Sequence, residues 1–401
     1  MIRILYVCSY PIFRPYGGQI LIYLDNAATA RPYESAIRAA EEAIKNYGNP
    51  SSPHKAGKDG AYILKNARGQ VASALGCKPE SLIFTSGGTE ANNLAILSLA
   101  RKNRRAGNRI ITDLTEHPSA LSPLEVLTTE GFEIAYIPMT GGKADLDTLA
   151  EKAKGACLVS FMHANNQTGC LTDIKAIRET LDSVGSEALF HCDAVQAFCK
   201  TDAKIAALPV KYCDTASVSA HKLGGFKGCG ALYHGERAKL LPLIRGGDQE
   251  SGLRGGTENT VGIAAFGAAC AENIAHPEYR ARVAALRKRF IDGARSTLGD
   301  MIEFFIPPDY VENIINFAIN GLKSEVCLNY LSSKDICISS SSACSVHAKK
   351  NTVLPAYGLP QSYTDCAVRV GFSHFNTDDE VDTLINELKN AAAFAVRKKG
   401  K

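Results

Sequence analysis

The sequence predicts an α/β protein with a large, mainly parallel sheet domain and a smaller α+β domain after it. Two observations carry the large domain. Short apolar runs alternate with longer stretches of helical periodicity along the first two thirds of the chain. Those runs are rich in Val, Ile and Phe on both faces, the pattern of strands covered by helices on either side. A third observation carries the second domain: after an Ala-rich helical stretch the pattern changes to isolated strands and helices. With 401 residues, 45% of them apolar, the chain can build one large core and a smaller one.

In order, the candidate strands are 82–85, 109–113, 133–137, 157–161, 188–192, 215–219 and 230–233. Helices are expected between most of them, at 90–104, 119–129, 146–154, 174–183 and 203–208. The stretch 258–298 reads as a helical connector. Beyond it come a strand at 313–319, a helix at 324–332, short strands near Ile336 and Val368, and a closing helix at 378–393. This divides the chain into an arm at 1–21, a large domain at 22–260 and a connector with small domain at 261–401. The part of the large domain up to about residue 34 is expected to join the small one.

Composition excludes several classes. A net charge of +4 with 21% charged residues, and no long Lys/Arg run, gives no electrostatic case for nucleic acid. The thirteen cysteines are scattered, odd in number and form no CxxC pair. That speaks against a zinc ribbon or a disulfide framework and for a reducing, cytoplasmic setting, with most cysteines acting as small buried hydrophobes. No apolar run is long enough to span a bilayer. In the arm, Pro11, Pro15 and Gly17-Gly18 interrupt the apolar start and no small-residue cleavage site follows. An extra arm or an upstream start codon is a better reading than a secretion signal.

Several segments could carry chemistry. Thr85-Ser86-Gly87-Gly88-Thr89-Glu90 follows a strand and opens a helix, so its backbone N–H groups and hydroxyls could cradle a phosphate; a plain strand–turn–helix is the alternative. Neither GxGxxG nor a Walker lysine is present. Lys222, in Ser219-Ala220-His221-Lys222, sits past a strand where α/β sheets open their ligand crevice. A lysine there can form a Schiff base with an aldehyde cofactor, although most lysines simply cap loops. Asp193 ends another strand and would suit a pyridinium nitrogen, or else cap the next segment. His117 and Asn165-Asn166 also follow strands; several polar groups at successive strand ends make a shared site more credible than any one alone. Finally, Ser339-Ser340-Ser341-Ser342-Ala343-Cys344 is a small-residue loop bearing a thiol.

Read together, these segments resemble the cysteine desulfurases of the NifS/IscS type, within the class V aminotransferase-like group. The resemblance runs from about Tyr23 to about Asn390. It rests on Tyr23-Leu24-Asp25-Asn26-Ala27-Ala28-Thr29, Gly48-Asn49-Pro50, the 85–93 segment, Thr115-Glu116-His117, Met162-His163-Ala164-Asn165-Asn166, Asp193 with Gln196, the Lys222 motif, Arg254-Gly255-Gly256-Thr257, the Cys344 loop and Arg369. It implies fold type I of the pyridoxal 5'-phosphate (PLP) transferases, a homodimer, L-cysteine as substrate and a sulfur-acceptor or scaffold protein as partner. It also implies residue roles. Lys222 would hold PLP and move the substrate α-proton; Asp193 would pair with the pyridine nitrogen and Gln196 with the phenolic oxygen. His117 would stack on the ring. Gly88, Thr89, Ser219 and His221 would hold the phosphate, joined by Thr257 from the neighbouring subunit. Asn165 and Arg369, with Asn26 nearby, would bind substrate, and Cys344 would take the sulfur as a persulfide for iron–sulfur cluster assembly or thiolation. No metal is implied.

Some positions depart from that pattern: Ala220 and Ser341 replace usual glycines, Leu223-Gly224-Gly225-Phe226 replaces an aromatic–proline loop, and 247–251 lacks a usual Arg. They bear on loop motion and partner choice more than on cofactor binding. Two alternatives stand beside this reading. Another PLP enzyme, such as an aminotransferase or selenocysteine lyase, would not need Cys344 in the same way. A non-catalytic relative would be expected to have lost part of the Lys222, Asp193, His117 and Cys344 set.

Overall fold

The computed structural model describes residues 21–340 and 352–395; the N-terminal arm, the segment bearing Cys344 and the basic tail lie outside the described residues. Its centre is a seven-stranded sheet in the order Leu82–Thr85, Gly230–His234, Thr215–Ser219, Leu189–Asp193, Ala156–Met162, Arg109–Thr112, Glu133–Tyr136. The last five run parallel to one another, and Gly230–His234 is antiparallel to both its neighbours. Every residue of Leu82–Thr85, Ala156–Met162, Leu189–Asp193 and Thr215–Ser219 is buried. This is why the strands read as continuous apolar runs: both faces are covered by helices, so neither face needs to alternate with polar residues.

A second core forms around Phe290, Phe317 and Phe372, packed edge to face. It is built on a four-stranded antiparallel sheet in the order Ile302–Phe305, Ile314–Ile319, Ala367–Gly371, Ser339–Ser340. The chain enters this region at its start: Ile22–Tyr23 pairs in parallel with Ile336–Cys337, and Asp25 bridges to Gly371. The loop that follows, residues 24–30, thereby lies between the two cores. Among the described residues no helix is long and apolar enough to cross a membrane.

The fold departs from the sequence expectation at several elements. Helices Glu34–Lys45 and Lys55–Leu75 pack on Thr260–Ala275 and have no counterpart among the expected elements. Gly57, Gly60 and Gly69 weaken the helical signal of the second. Two of them are there for contact: a Cβ on Gly57 would lie 2.2 Å from the Ser52 carbonyl oxygen, and one on Gly60 2.4 Å from that of Gly48. The connector is two helices, Thr260–Ala275 and Glu278–Leu298, broken at Pro277. The helix expected at 203–208 is likewise two short ones, Ala203–Ala206 and Leu208–Tyr212. Strand Ile302–Phe305 is additional, and Ser339-Ser340, read as loop, forms a short strand against Val368 and Arg369.

Candidate active site

The parallel strands end at one edge of the sheet. Register aligns Met162 with Asp193 and Asp193 with Ser217, so the residues just past these positions share one crevice. Asp193 is buried, and both its oxygens are engaged: Val195 N–H donates to Oδ1 at 3.0 Å and the Asn92 amide donates to Oδ2 at 2.7 Å. The Asn92 amide also donates to Ser119 Oγ at 2.8 Å, and its oxygen meets His191 Nε2 at 3.1 Å. A carboxylate only accepts, so the Asn92 NH₂ must face Asp193, and His191 must carry its proton on Nε2. Burial holds His191 neutral by pushing its pKa down to about 3. One amide thus ties Asp193 to Ser119 and, through it, to His117.

His117 caps helix Pro118–Thr129. Its Nδ1 accepts from Ser119 N–H at 3.1 Å and lies 2.8 Å from Ser119 Oγ. An Nδ1 that accepts a main-chain N–H leaves the ring proton on Nε2. The ring is open to the crevice, yet deep enough in it that desolvation lowers its proton affinity; Asp193 pulls the other way and Lys222 adds to the lowering. Beneath lie two buried acids. Glu116 accepts from Met162 N–H, and burial, then Asp113 and Asp193, push its pKa well up. Asp113 is pushed up to about 6 by burial.

The candidate phosphate cradle sits at the start of helix Gly88–Lys102. Gly87 has φ 155°, and a Cβ on Gly88 would lie 2.8 Å from Val195 Cγ2. A Cβ on Gly230 would lie 2.7 Å from Gly87 Cα. These glycines bring the helix start against Ser219, where free N–H groups and the positive end of the helix dipole favour an anion. Glu90, in the first turn, is turned away: it accepts from Ser86 N–H at 2.8 Å and Arg254 Nε at 3.0 Å. Those bonds lower its pKa against the opposing effect of burial. Ser219 is buried, Thr89 exposed, and His221 meets Thr29 Oγ1 at 3.1 Å through Nδ1. Burial, then Lys222 and Lys200, push the His221 pKa down to about 4, so it serves as a neutral donor or acceptor.

Lys222 closes the short turn after strand Thr215–Ser219. Its ammonium donates to the carbonyls of Ala27 at 3.0 Å and Ala28 at 2.7 Å. Burial, followed by Arg369, lowers its pKa to about 8, against the pull of Asp25 and Asp193. Gln196 Nε2 donates to the same Ala27 carbonyl at 2.9 Å. Arg369, on strand Ala367–Gly371, donates from Nη1 to Asn166 O at 2.7 Å, and from Nη2 to Asp25 Oδ1 at 2.8 Å and Ser339 Oγ at 3.1 Å. Its Nε is buried and has no partner among the described residues.

The structure therefore brings together Lys222, Asp193, His117, Gln196 and Arg369 around one crevice. Asn26 and Asn165 lie beside it with their amides committed elsewhere. Asn26 donates to Gly371 O at 2.9 Å; Asn165 donates to Thr115 O at 3.0 Å and accepts from Gln167 and Thr168 N–H. Thr257 is exposed. Cys344 lies outside the described residues. Sequence reasoning missed the supporting residues Asn92, Ser119, Asp25 and Lys200. Asn92 lies inside the quoted 85–93 segment, but no spacing rule shows that its amide points under the sheet.

These residues fit pyridoxal phosphate on structural grounds. There is a glycine cradle for the phosphate, a buried acceptor for a protonated ring nitrogen, an imidazole open to the crevice, and a lysine whose amine is partly neutral near pH 8. The fold and this crevice are those of an α/β protein whose polar groups gather over the ends of the parallel strands, beside a buried lysine. The chain belongs to the aminotransferase class-V family, whose model matches residues 22–384. It is 34% identical over 382 residues to cysteine desulfurase IscS of Pseudoalteromonas translucida, covering 92% of each chain. Among solved structures it resembles a NifS-like protein with a TM-score of 0.85 and 30% identity, covering 94% of this chain and 100% of that one. It also resembles SspA in complex with cysteine, with a TM-score of 0.73 and 27% identity, covering 89% of this chain and 100% of that one.

Proposed function

We propose that this chain is a pyridoxal-phosphate-dependent cysteine desulfurase. It converts L-cysteine to L-alanine and takes the sulfur onto Cys344 as a persulfide. The observation that carries this reading is the convergence of Lys222, Asp193 and His117 beside the Gly87-Gly88 cradle. The desulfurase names of its relatives and a cysteine thiol 25 residues before Arg369 support it.

Bound in the crevice, the cofactor supplies an electron-withdrawing ring that makes the α-proton of an amino acid removable. Gly88, Thr89, Ser219 and His221 hold its phosphate and Asp193 keeps its ring nitrogen protonated. Gln196 donates to its phenolic oxygen. Lys222 takes the α-proton, a task suited to an amine whose pKa burial has brought to about 8. Arg369 receives the substrate carboxylate on its planar fork. His117, with its proton on Nε2, stands beside the ring and can give that proton to the crevice. Cys344, as thiolate, attacks the substrate sulfur. A sulfur–sulfur bond forms and the carbon–sulfur bond breaks, its electron pair staying with carbon, which is protonated and leaves as alanine.

In this reading residues 22–260 carry the cofactor and 261–401 carry the thiol. Asn26 and Asn165 shape the substrate side through the loops they brace. Thr257 reaches the phosphate of a second subunit, so the working enzyme is a homodimer. The protein acts in the cytoplasm and passes sulfur to an acceptor or scaffold protein, for iron–sulfur cluster assembly or for thiolation. The test is incubation of purified protein with PLP and L-cysteine, measuring alanine and sulfide formed in equal amounts under a reductant. Alanine without sulfide, or no reaction at all, contradicts the reading.

A further inference from the structure

Lys200 is a lysine for which the residues implied by family resemblance leave no role. It follows the buried segment that begins at Asp193, and the chain reaches it through Cys199, whose φ of 59° lies in the left-handed region. A side chain other than glycine, asparagine or aspartate is uncommon there and is held under strain. The bend turns Lys200 back toward the crevice, where it lines a cavity shared with Lys222, Asn26 and Cys199. Among the described residues no carboxylate lies within ion-pair distance of its ammonium. Its hydrogen bond is to Gln196 Oε1, at 2.5 Å.

That bond decides which way Gln196 faces. An ammonium only donates, so the amide end it meets must be the oxygen, and the NH₂ end must point the other way. The NH₂ donates to Ala27 O, the same carbonyl that takes the Lys222 ammonium. The donor end of Gln196 and the amine of Lys222 therefore converge on one point.

We propose that Lys200 is a positioning residue for the cofactor: by binding the Gln196 oxygen it presents the Gln196 NH₂ to the phenolic oxygen of pyridoxal phosphate. This rests on the pyridoxal reading of the site, not on cysteine being the substrate. A donor at that oxygen favours the form of the bound chromophore that has lost its shared proton, so Lys200 holds the titration midpoint of the cofactor down. Lys222, His221, Arg369, Asp25, Asp193, His117 and Cys199 surround this point, and Tyr33, Tyr279, Arg280, Glu312 and His374 line the same cavity. Burial, then Lys222 and Arg369, lower the proton affinity of Lys200 itself. An anionic phenolic oxygen beside Gln196 would counter that.

The test is a pH titration of the visible absorption band of the cofactor-loaded protein, without substrate. Lys200→Met keeps the apolar stem and removes the donor; it should raise the midpoint by about one pH unit, a tenfold change in proton affinity. Lys200→Arg, which restores a donor, should return it most of the way. In a Gln196→Met background, Lys200→Met should move the midpoint much less, because the intermediary is gone. If Lys200→Met does not retain cofactor, the titration of Lys200→Leu, which also lacks a donor, decides instead, with a rise again expected. A midpoint unchanged in the variant that binds cofactor, or an equal rise in the Gln196→Met background, overturns the proposal. Failure of the wild type to form a cofactor band with Lys222 would instead overturn the pyridoxal reading. A substrate other than cysteine would leave the titration result standing.

Discussion

The two sides of the crevice are built differently. On the sheet side the groups expected to meet the cofactor are fixed by the main fold. Asp193 ends a buried strand, His117 caps a helix, and the cradle is the start of another helix. Their hydrogen bonds run mostly downward, to Asn92, Val195 N and Ser119, which leaves the crevice-facing edges available. On the other side Arg369 belongs to the second core, and its guanidinium is already held by Asp25, Asn166 O and Ser339. On the proposed reading the first side takes a phosphate at the helix start and a protonated ring nitrogen at Asp193. The second holds an internal ion pair that an incoming carboxylate must share or displace. If the first side holds the cofactor and the second the substrate, as proposed, cofactor binding and substrate capture should respond to different substitutions.

The largest effect should come from the sheet side. Lys222→Ala removes the proposed covalent anchor and base; catalytic rate should fall at least about 10³-fold and the visible band of the bound cofactor should change. A wild-type band and rate would end the assignment. Asp193→Asn keeps the size and removes the charge that holds the ring nitrogen protonated. A loss of roughly 10²-fold in kcat, with KM for cysteine little changed, is expected. Steady-state kinetics at saturating cofactor check it.

On the small-domain side the effect should appear in KM. Arg369→Lys retains the charge but not the two-pronged geometry, so KM for cysteine should rise about tenfold or more while the cofactor band stays as in wild type. If instead kcat collapses with KM unchanged, the separation between the two sides is wrong.

The smallest effect concerns pH. The Lys222 pKa is lowered to about 8, so in cofactor-free protein its neutral, nucleophilic fraction grows as pH rises through that value. The rate of cofactor uptake should rise with pH and level off above about 8, provided uptake is limited by the amine. The unfolded chain binds more protons at this lysine between about 8 and the ordinary value of 10.5, so its contribution favours folding more as pH rises across that window. A cofactor uptake rate that falls between pH 7 and 8.5 would contradict the assigned environment.

What could be read from the sequence follows the same division. The sheet strands are legible because most of them are buried on both faces, and with them the strand-end residues Asp193, His117 and Lys222; the edge strand Glu133–Tyr136 is partly exposed. Helix Lys55–Leu75 was hidden because its glycines serve close contacts with the 48–52 turn rather than helix propensity. The Asp25–Arg369 pair joins positions 344 residues apart, and no local pattern announces such a contact. Asn165 and Asn26 look like substrate-side groups in sequence, yet their amides brace the loops they sit in. Family resemblance named the groups expected to touch the cofactor. It did not name those that aim them, such as Asn92 and Lys200, because their roles depend on which end of an amide faces which neighbour.

In the proposed reaction sulfur passes from cysteine to Cys344. The most direct measurement is a single turnover of the cofactor-loaded protein with L-cysteine, without reductant, followed by intact and peptide mass analysis. Sulfur transfer to Cys344 gives one alanine per active site and a gain of ~32 Da, one sulfur, on the peptide bearing Cys344, with the gain absent from Cys344→Ala. A cofactor-loaded protein that forms alanine with the sulfur on another cysteine, or that binds cysteine and gains no mass on any peptide, would contradict it.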